Sequence, residues 1–478
     1  SPFTHSNVSK EELSKRNLGQ DLPILLNYLP SVVTTSDAGA GIGYTGIRIR
    51  GVSAQSTNIT INGIPFNDAE SHGTYWVNLP DFTSSIESLQ VQRGVGTSTN
   101  GAGAFGSSIN ILTDGISDNP FAEISNSFGS YDSRKHTIKF SSGLLNNSFE
   151  LSGRLSKIDS DGYVDRAFSD LKSYFLQGAY KKGNTFLKAL AFGGYERGYQ
   201  SWFGLTKDQI KENRRQNPYT YENEIDDYKQ DHYQVHLNQK LNSNWSTNVG
   251  LNYTYGRGYY EQYRDDDDVS TYGGIVVSDL DSNGDELGTT DLIRRRWLNN
   301  NFYVLNTTLN YVSSKLNMNF SSYYSSYSGD HYGEVIWARQ IGPNNSIRDE
   351  YYRGNGKKNE WSLFAKSSYL INDQLEIFGD IQFRKIGYKT TGLTSDLVNM
   401  LIDQTYDFFN PKFGLSYEFN LNSNLFFSYS RANREPSRSD YENNSNIKSE
   451  KLNDFELGWR YRKDGLKFNA NLYYMLYD

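Results

Sequence analysis

The sequence predicts a membrane all-β protein: a transmembrane antiparallel β-barrel headed by a small α/β domain. Three observations carry that expectation. From about residue 120 onward, apolar and polar residues alternate with period two in one segment after another. The connections between those segments are short and long in turn. The apolar content is tilted toward aromatics, with 37 Tyr and 26 Phe although only 36% of residues are hydrophobic. Such residues favour strands and membrane interfaces.

At 478 residues the chain has room for more than one domain. No stretch approaches the ~20 apolar residues of a membrane-spanning helix. A helical membrane protein is thereby excluded, but a barrel is not, since its strands turn only alternate side chains toward lipid. There is no cysteine, so neither disulfides nor thiolate metal sites contribute. The net charge of −7 argues against a nucleic-acid partner. No signal peptide opens the sequence, which is read as processing or truncation, not as a cytoplasmic address.

The composition divides the chain into residues 1–115 and 116–478. In the first part, Ser9-Lys10-Glu11-Glu12 has the capping-box form and should start a helix that stops around Gly19. A second short helix over 21–28 should end ahead of Pro30. Short strands are expected at 46–51, 58–62, 88–93 and 107–113, with glycine-rich turns between them.

In the second part, Phe149, Leu151, Gly153 and Leu155 alternate with Glu150, Ser152, Arg154 and Ser156. Leu466, Phe468, Ala470, Leu472, Tyr474 and Leu476 alternate in the same way with their neighbours. Similar segments fall at 121–129, 134–143, 171–181, 184–196, 230–242, 244–256, 302–314, 315–327, 359–371, 373–387, 407–419, 423–432 and 453–463. Together they make about 15 strands. Long connections are expected over 198–228, 257–299, 328–357, 388–406 and 433–451. Short turns at one end and long loops at the other is the layout of an outer-membrane barrel.

Several strings then point to a family. Ile47-Arg48-Ile49-Arg50-Gly51, Ile59-Thr60-Ile61-Asn62-Gly63 and Ser88-Leu89-Gln90-Val91-Gln92-Arg93-Gly94 resemble the plug domain of TonB-dependent outer-membrane receptors. The run from Gly101 to Ile111 resembles that family's closing plug motif, and Arg434-Glu435-Pro436 and Phe455-Glu456-Leu457-Gly458 resemble its barrel motifs. Where the family has Asp-Gly this chain has Asn62-Gly63, which suits the same turn. The wording of residues 65–110 is similar to Bacteroidetes members of the siderophore-receptor-sized class.

The resemblance implies a plug (1–115) inside a barrel (116–478) of about 22 strands in the full family fold. The chain is therefore expected to be truncated at both ends, without the TonB box at one and several strands at the other. It implies a bacterial outer-membrane location among lipid and coupling to the TonB–ExbB–ExbD complex. It implies that the imported ligand is a ferric siderophore or other metal chelate. A glycan or peptide importer of the same family is the alternative, and a passive porin-like barrel leaves residues 1–115 unexplained. A soluble β-rich carbohydrate-binding or hydrolytic protein is open to a solubility test.

By resemblance, Arg50 and Arg93 pair with barrel carboxylates, Glu456 being the matching candidate; the alternative is ordinary surface arginines. Two plug loops, 34–45 and 67–78, are expected at the extracellular apex. The second offers Asp68, Glu70, His72, Tyr75 and Trp76 as ligand contacts, unless Tyr75 and Trp76 pack plug against barrel. Trp202, Phe203, Tyr219, Tyr221, Trp337 and Tyr351 are the loop aromatics able to meet a chelate or a sugar ring. Asp279, Asp281, Asn283 and Asp285 space oxygens as a calcium loop does, with Gly284 sixth, but Thr290 stands twelfth where such a loop has Glu. The Asp265–Asp268 run reads as a solvated loop tip. His232 and His236, four apart on a strand, lie about 13 Å apart along one face, too far to share a metal. No histidine falls between Arg434 and Glu456, where haem receptors of the family carry a ligand. No catalytic constellation is visible, so no enzyme activity is expected, nor any cofactor beyond a structural calcium.

Overall fold

A computed structural model describes residues 2–100 and 103–478. Gly101 and Ala102 of the expected closing plug motif lie outside them. The plug begins with β1 (His5–Ser9) and α1 (Lys10–Ser14), where the Ser9 hydroxyl caps the helix by accepting from the Glu12 amide at 3.3 Å. The helix ends sooner than expected. The second, α2 (Leu22–Leu25), starts beside Asp21 with Pro23 in its first turn and stops ahead of Pro30.

The remaining plug strands are β2 (Val32–Ser36), β3 (Thr45–Ile49), β4 (Thr57–Ile61), β5 (Ile64–Pro65), β6 (Ile86–Arg93) and β7 (Ser107–Thr113). They form a five-stranded sheet in the order β1-β6-β7-β4-β5 and a β2-β3 hairpin. Asn62 and Gly63, both at positive φ (54° and 79°), make the tight turn from β4 to β5. The plug core gathers Val8, Leu13, Leu26, Ile49, Ile59, Leu89 and Ile109, and it continues onto the barrel residues Phe175, Leu190 and Phe192. Plug and barrel therefore share one apolar core along that wall.

The second sheet has fifteen strands, all antiparallel and paired in sequence order from β8 to β22. These are β8 (Pro120–Phe128), β9 (Arg134–Ser142), β10 (Phe149–Ser160), β11 (Ser169–Lys182), β12 (Thr185–Tyr199), β13 (Ile225–Lys240), β14 (Trp245–Asp268) and β15 (Thr289–Val312). They continue through β16 (Leu316–Ala338), β17 (Glu350–Leu370), β18 (Leu375–Leu393), β19 (Asn399–Asn420), β20 (Ser423–Arg434), β21 (Glu450–Lys463) and β22 (Leu466–Tyr477). The sheet curls around the plug, which it touches from Lys135 on β9 to Glu456 on β21. Its outer face exposes Leu151, Leu176, Val235, Leu251, Leu305 and Trp361, whereas Gln177, Gln234, Asn252 and Ser362 are buried on the inner face. That inversion of the soluble pattern is what a lipid-facing barrel requires.

The strand positions follow the sequence expectation, but their upper ends do not. Residues 257–268 and 289–299, expected within a loop, pair as the upper part of β14 and β15, with a bulge between Arg264 and Asp267. Residues 328–338, 350–357, 388–393 and 399–406 are likewise strand. Above the lipid band neither face needs to be apolar, so the period-two signal fades while the hydrogen bonding continues. Two loop helices, α3 (Lys207–Glu212) and α4 (Arg438–Asn443), are opened by capping boxes at Thr206 and Ser437.

Candidate ligand-binding site

The plug loop 67–78 folds on itself before it meets the barrel. The Asp68 carboxylate accepts from the amides of Glu70 (3.1 Å) and Ser71 (2.7 Å), while Asn67 ties the loop to β4 through the Ile59 amide at 2.7 Å. That curl drives Glu70 into the barrel wall. Its carboxylate is 3% exposed and takes hydrogen bonds from Tyr388 (2.7 Å), Tyr327 (3.3 Å) and Arg438 (3.2 Å), with His331 Nε2 at 2.7 Å. Burial alone would raise the Glu70 carboxyl; His331, then Arg438 and Tyr388, outweigh it and hold it at about 2. Gly356 on β17 leaves the space, since a Cβ there would stand 1.9 Å from Glu70 Oε1.

A second cluster surrounds His72, whose Nε2 lies 3.4 Å from Glu435; Glu435 in turn pairs with Lys358 at 2.5 Å and Arg384 at 3.5 Å. Burial, then Lys358, lowers the His72 pKa, while Glu435 opposes. Arg434 beside it donates to the Gln55 carbonyl at 2.9 Å and pairs with Glu450.

Above these clusters, a cavity of about 640 Å³ separates the plug apex from the barrel wall, on the side of the long connections. Asp68 and Tyr75 of the plug line it, as do Tyr228, Tyr260 and Trp297 of the wall and Trp202 of the β12–β13 loop. The Trp202 ring meets Tyr44 edge-on at 5.3 Å and Tyr260 at 5.6 Å. Arg296 and Arg438 supply positive charge, and Asp37, Asp68, Glu196, Asp226 and Glu442 supply negative charge. Arg296 donates to the hydroxyls of Tyr260 and Tyr351, each at 3.2 Å, and its nearest carboxylate is the exposed Asp396 at 3.7 Å.

Of the residues singled out from sequence, Asp68, Tyr75 and Trp202 line this cavity. Glu70 and His72 lie behind it, fixing the plug to the wall because the loop curl points them outward. Trp76 is 4% exposed within the plug core, so packing is its role, whereas Tyr75 stays 44% exposed. Phe203 and Tyr219 meet edge-on outside the cavity at 6.2 Å, and Tyr221 donates to Glu261 at 2.8 Å. Trp337 is exposed on β16, and Tyr351 packs with Tyr272 and Tyr352. Sequence reasoning missed Glu196, Asp226, Arg296, Trp297 and Arg438. The run Arg294-Arg295-Arg296-Trp297, too charged for lipid and too aromatic for a plain loop, was the available signal.

The two plug arginines named for barrel pairing part ways. Arg50 pairs with Glu456, which also accepts from Thr4 at 2.8 Å. Arg93 does not pair with a barrel carboxylate: the pairing of β6 with β1 lays it along the plug, where it donates to the Pro30 carbonyl (3.1 Å) and Ser6 (3.0 Å). A further contact of opposite polarity was not foreseen. Asp81 of the plug sits 2.7 Å from Lys135 and 3.4 Å from Arg154 on the barrel. Burial pushes the Asp81 carboxyl up, but Arg154 and Lys135 more than reverse it.

In the acidic loop, the Asp281 carboxylate accepts from the amides of Asn283 (2.8 Å) and Asp285 (2.9 Å), an ordinary turn. Asp279 accepts from Thr290 at 3.1 Å. Among the described residues no group of three or more His, Cys, Asp or Glu side chains is placed to hold a metal ion.

A curled fifteen-stranded antiparallel sheet, apolar outside and polar inside, with an α/β plug fastened in its lumen, defines the class: a plugged β-barrel. Within that class, residues 173–478 match the TonB dependent receptor-like β-barrel and residues 1–108 the TonB-dependent receptor plug domain, so the chain belongs to the TonB-dependent receptor family. It is 31% identical over 156 residues to the vitamin B12 transporter of Vibrio vulnificus, covering 33% of this chain and 25% of that protein. It is 29% identical over 186 residues to a probable TonB-dependent siderophore receptor of Acinetobacter baumannii, covering 37% and 22%. The matched stretch thus spans about a quarter of these relatives' length. In fold, the ferric citrate transporter FecA superposes with a TM-score of 0.75 at 15% identity, over 99% of this chain and 69% of that one. The ferric yersiniabactin uptake receptor of Yersinia pestis gives 0.71 at 14% identity, over 99% and 72%.

Proposed function

We propose that this chain is the ligand-binding and gating part of a TonB-dependent transporter in the outer membrane of a Gram-negative bacterium. It would import a scarce ligand, best read as a ferric siderophore or other metal chelate. The observation that carries the reading is the cavity between plug apex and barrel wall, aromatic and charged at once, on the side of the long connections. A ligand seated there touches plug and barrel together, so its binding bears on how the plug is held. The aromatic walls also suit a sugar ring, which keeps a glycan importer as the second reading.

Energy enters from the other side. Ahead of β1, the Phe3 carbonyl accepts from Arg460 at 2.7 Å and the Phe3 ring meets Phe378 edge-on at 5.0 Å. A pull by TonB, driven by ExbB–ExbD, on the N-terminal segment loads these contacts and Thr4–Glu456 first, then the β1–β6 pairing. The test is growth and labelled-chelate uptake under iron limitation, with and without the gene and with and without TonB. Loss of uptake in both deletions is expected. Unimpaired growth on all candidate chelates refutes chelate import, and uptake that survives loss of TonB refutes the energised mechanism.

A further inference from the structure

Arg296 and Arg438 line the cavity together with the acids Asp37, Asp68, Glu196, Asp226 and Glu442. Each arginine already has a carboxylate, Asp396 for Arg296 and Glu70 for Arg438. Glu196 and Asp226 have no such balance. Glu196 is 2% exposed and its Oε2 is buried without a hydrogen-bond partner. Asp226 accepts from the Tyr44 hydroxyl, and no Lys or Arg forms an ion pair with either carboxylate among the described residues. The charged groups that act on Glu196 are Asp226, Asp227 and Asp21, all acids.

A buried carboxylate beside a second one, with no cation, is unfavourable, and either a proton or a cationic ligand relieves it. The rings of Tyr44 and Trp202, in edge-on contact, offer faces that favour a cation. No third metal-ligating side chain joins the pair among the described residues, so the fit is to an organic ammonium and not to a bare metal ion.

We infer that the Glu196–Asp226 end of the cavity is a subsite for an organic ammonium group of the ligand. The inference rests on reading the cavity as the ligand site. It narrows the chelate class to one whose organic framework carries a free amine.

The full chain, folded in detergent and checked by heat-modifiable gel mobility, is titrated with 2-phenylethylammonium and with the uncharged 2-phenylethanol. Binding is followed by saturation transfer on the probe's NMR signals. Saturable binding of the ammonium is expected, at least ten-fold tighter than that of the alcohol. Glu196→Gln and Asp226→Asn should each weaken ammonium binding at least ten-fold, while Trp337→Ala, outside the cavity, should not. If one of these carboxylate variants fails to fold, the other decides. Equal binding of the two probes, no saturable ammonium binding, or folded variants that bind it undiminished overturns the subsite. Chelate import is read separately by growth, so its failure leaves this result standing.

Discussion

Gly356→Ala isolates the coupling between the plug apex and the barrel. The new Cβ would lie 1.9 Å from Glu70 Oε1 and 2.4 Å from its carboxyl carbon, and in this strand backbone the neighbour that must yield is Glu70. Moving the carboxylate gives up Tyr388 and His331, each at 2.7 Å, and Arg438 at 3.2 Å. Two routes give the size of the loss. Breaking a buried, paired charge costs about 3–5 kcal/mol. Independently, the carboxyl is held at about 2 against an ordinary 4.5; at 1.36 kcal/mol per tenfold in proton affinity, that depression corresponds to about 3 kcal/mol. A loss near 3 kcal/mol raises the opening of the apex loop about 100-fold. Hydrogen exchange followed by mass spectrometry on residues 67–78 reads it, because the amides of Glu70, Ser71 and His72 are bonded within the loop. The control is Glu70→Ala: in that background Gly356→Ala should change exchange little, since the clash is gone. Undiminished protection in Gly356→Ala, or additive effects in the pair, refutes the reasoning.

Two further outcomes concern the buried contacts between plug and barrel. Acidification should loosen the apex loop in two stages, with signs set by the groups involved. The undocked loop protonates His72 below about 6.5, where the docked one resists it, so docking weakens as pH falls past that point. Glu70, depressed from 4.5 to about 2, contributes fully above 4.5 and loses its contribution as pH falls from there toward 2. Protection factors against pH should show both stages, the first abolished in His72→Gln and the second in Glu70→Gln; a single stage insensitive to either variant contradicts the assignment. At the other pole, Asp81→Asn keeps a residue suited to the left-handed backbone (φ 51°) but leaves Lys135 and Arg154, 3% and 1% exposed, without a carboxylate. A destabilisation of about 3–5 kcal/mol is expected, read as a fall in the temperature of the heat-induced gel-mobility shift, and no fall would mean the pair is solvated.

Why the strands were legible and the site was not has one physical origin. Lipid enforces a strict period of two, so every barrel strand from β8 to β22 left its mark, and the lost signal began where lipid ends, at 257–268 and 289–299. The lumen enforces no such pattern. Its wall is polar at most inward positions, so Glu196, Asp226 and Arg296 read like Gln177, Gln234 or Asn252, though only the first three line the cavity. Plug motifs told which arginine meets which carboxylate only where the backbone leaves the side chain free. Arg50 follows β3 at a positive φ of 55° and reaches Glu456, whereas Arg93 stays within β6 and is held by its neighbour β1. Glu70 is the extreme case. Its partners lie 261 (His331), 318 (Tyr388) and 368 (Arg438) residues away in sequence, on β16, β18 and α4. Nothing local distinguishes a carboxylate that will greet a ligand from one that will bolt its loop to the wall. What decides is the curl set by Asp68 and Asn67 and the single missing Cβ at Gly356. A loop rich in polar and aromatic residues thus divides its labour by direction: Asp68 and Tyr75 face the cavity, while Glu70 and His72 hold the loop in place so that they can.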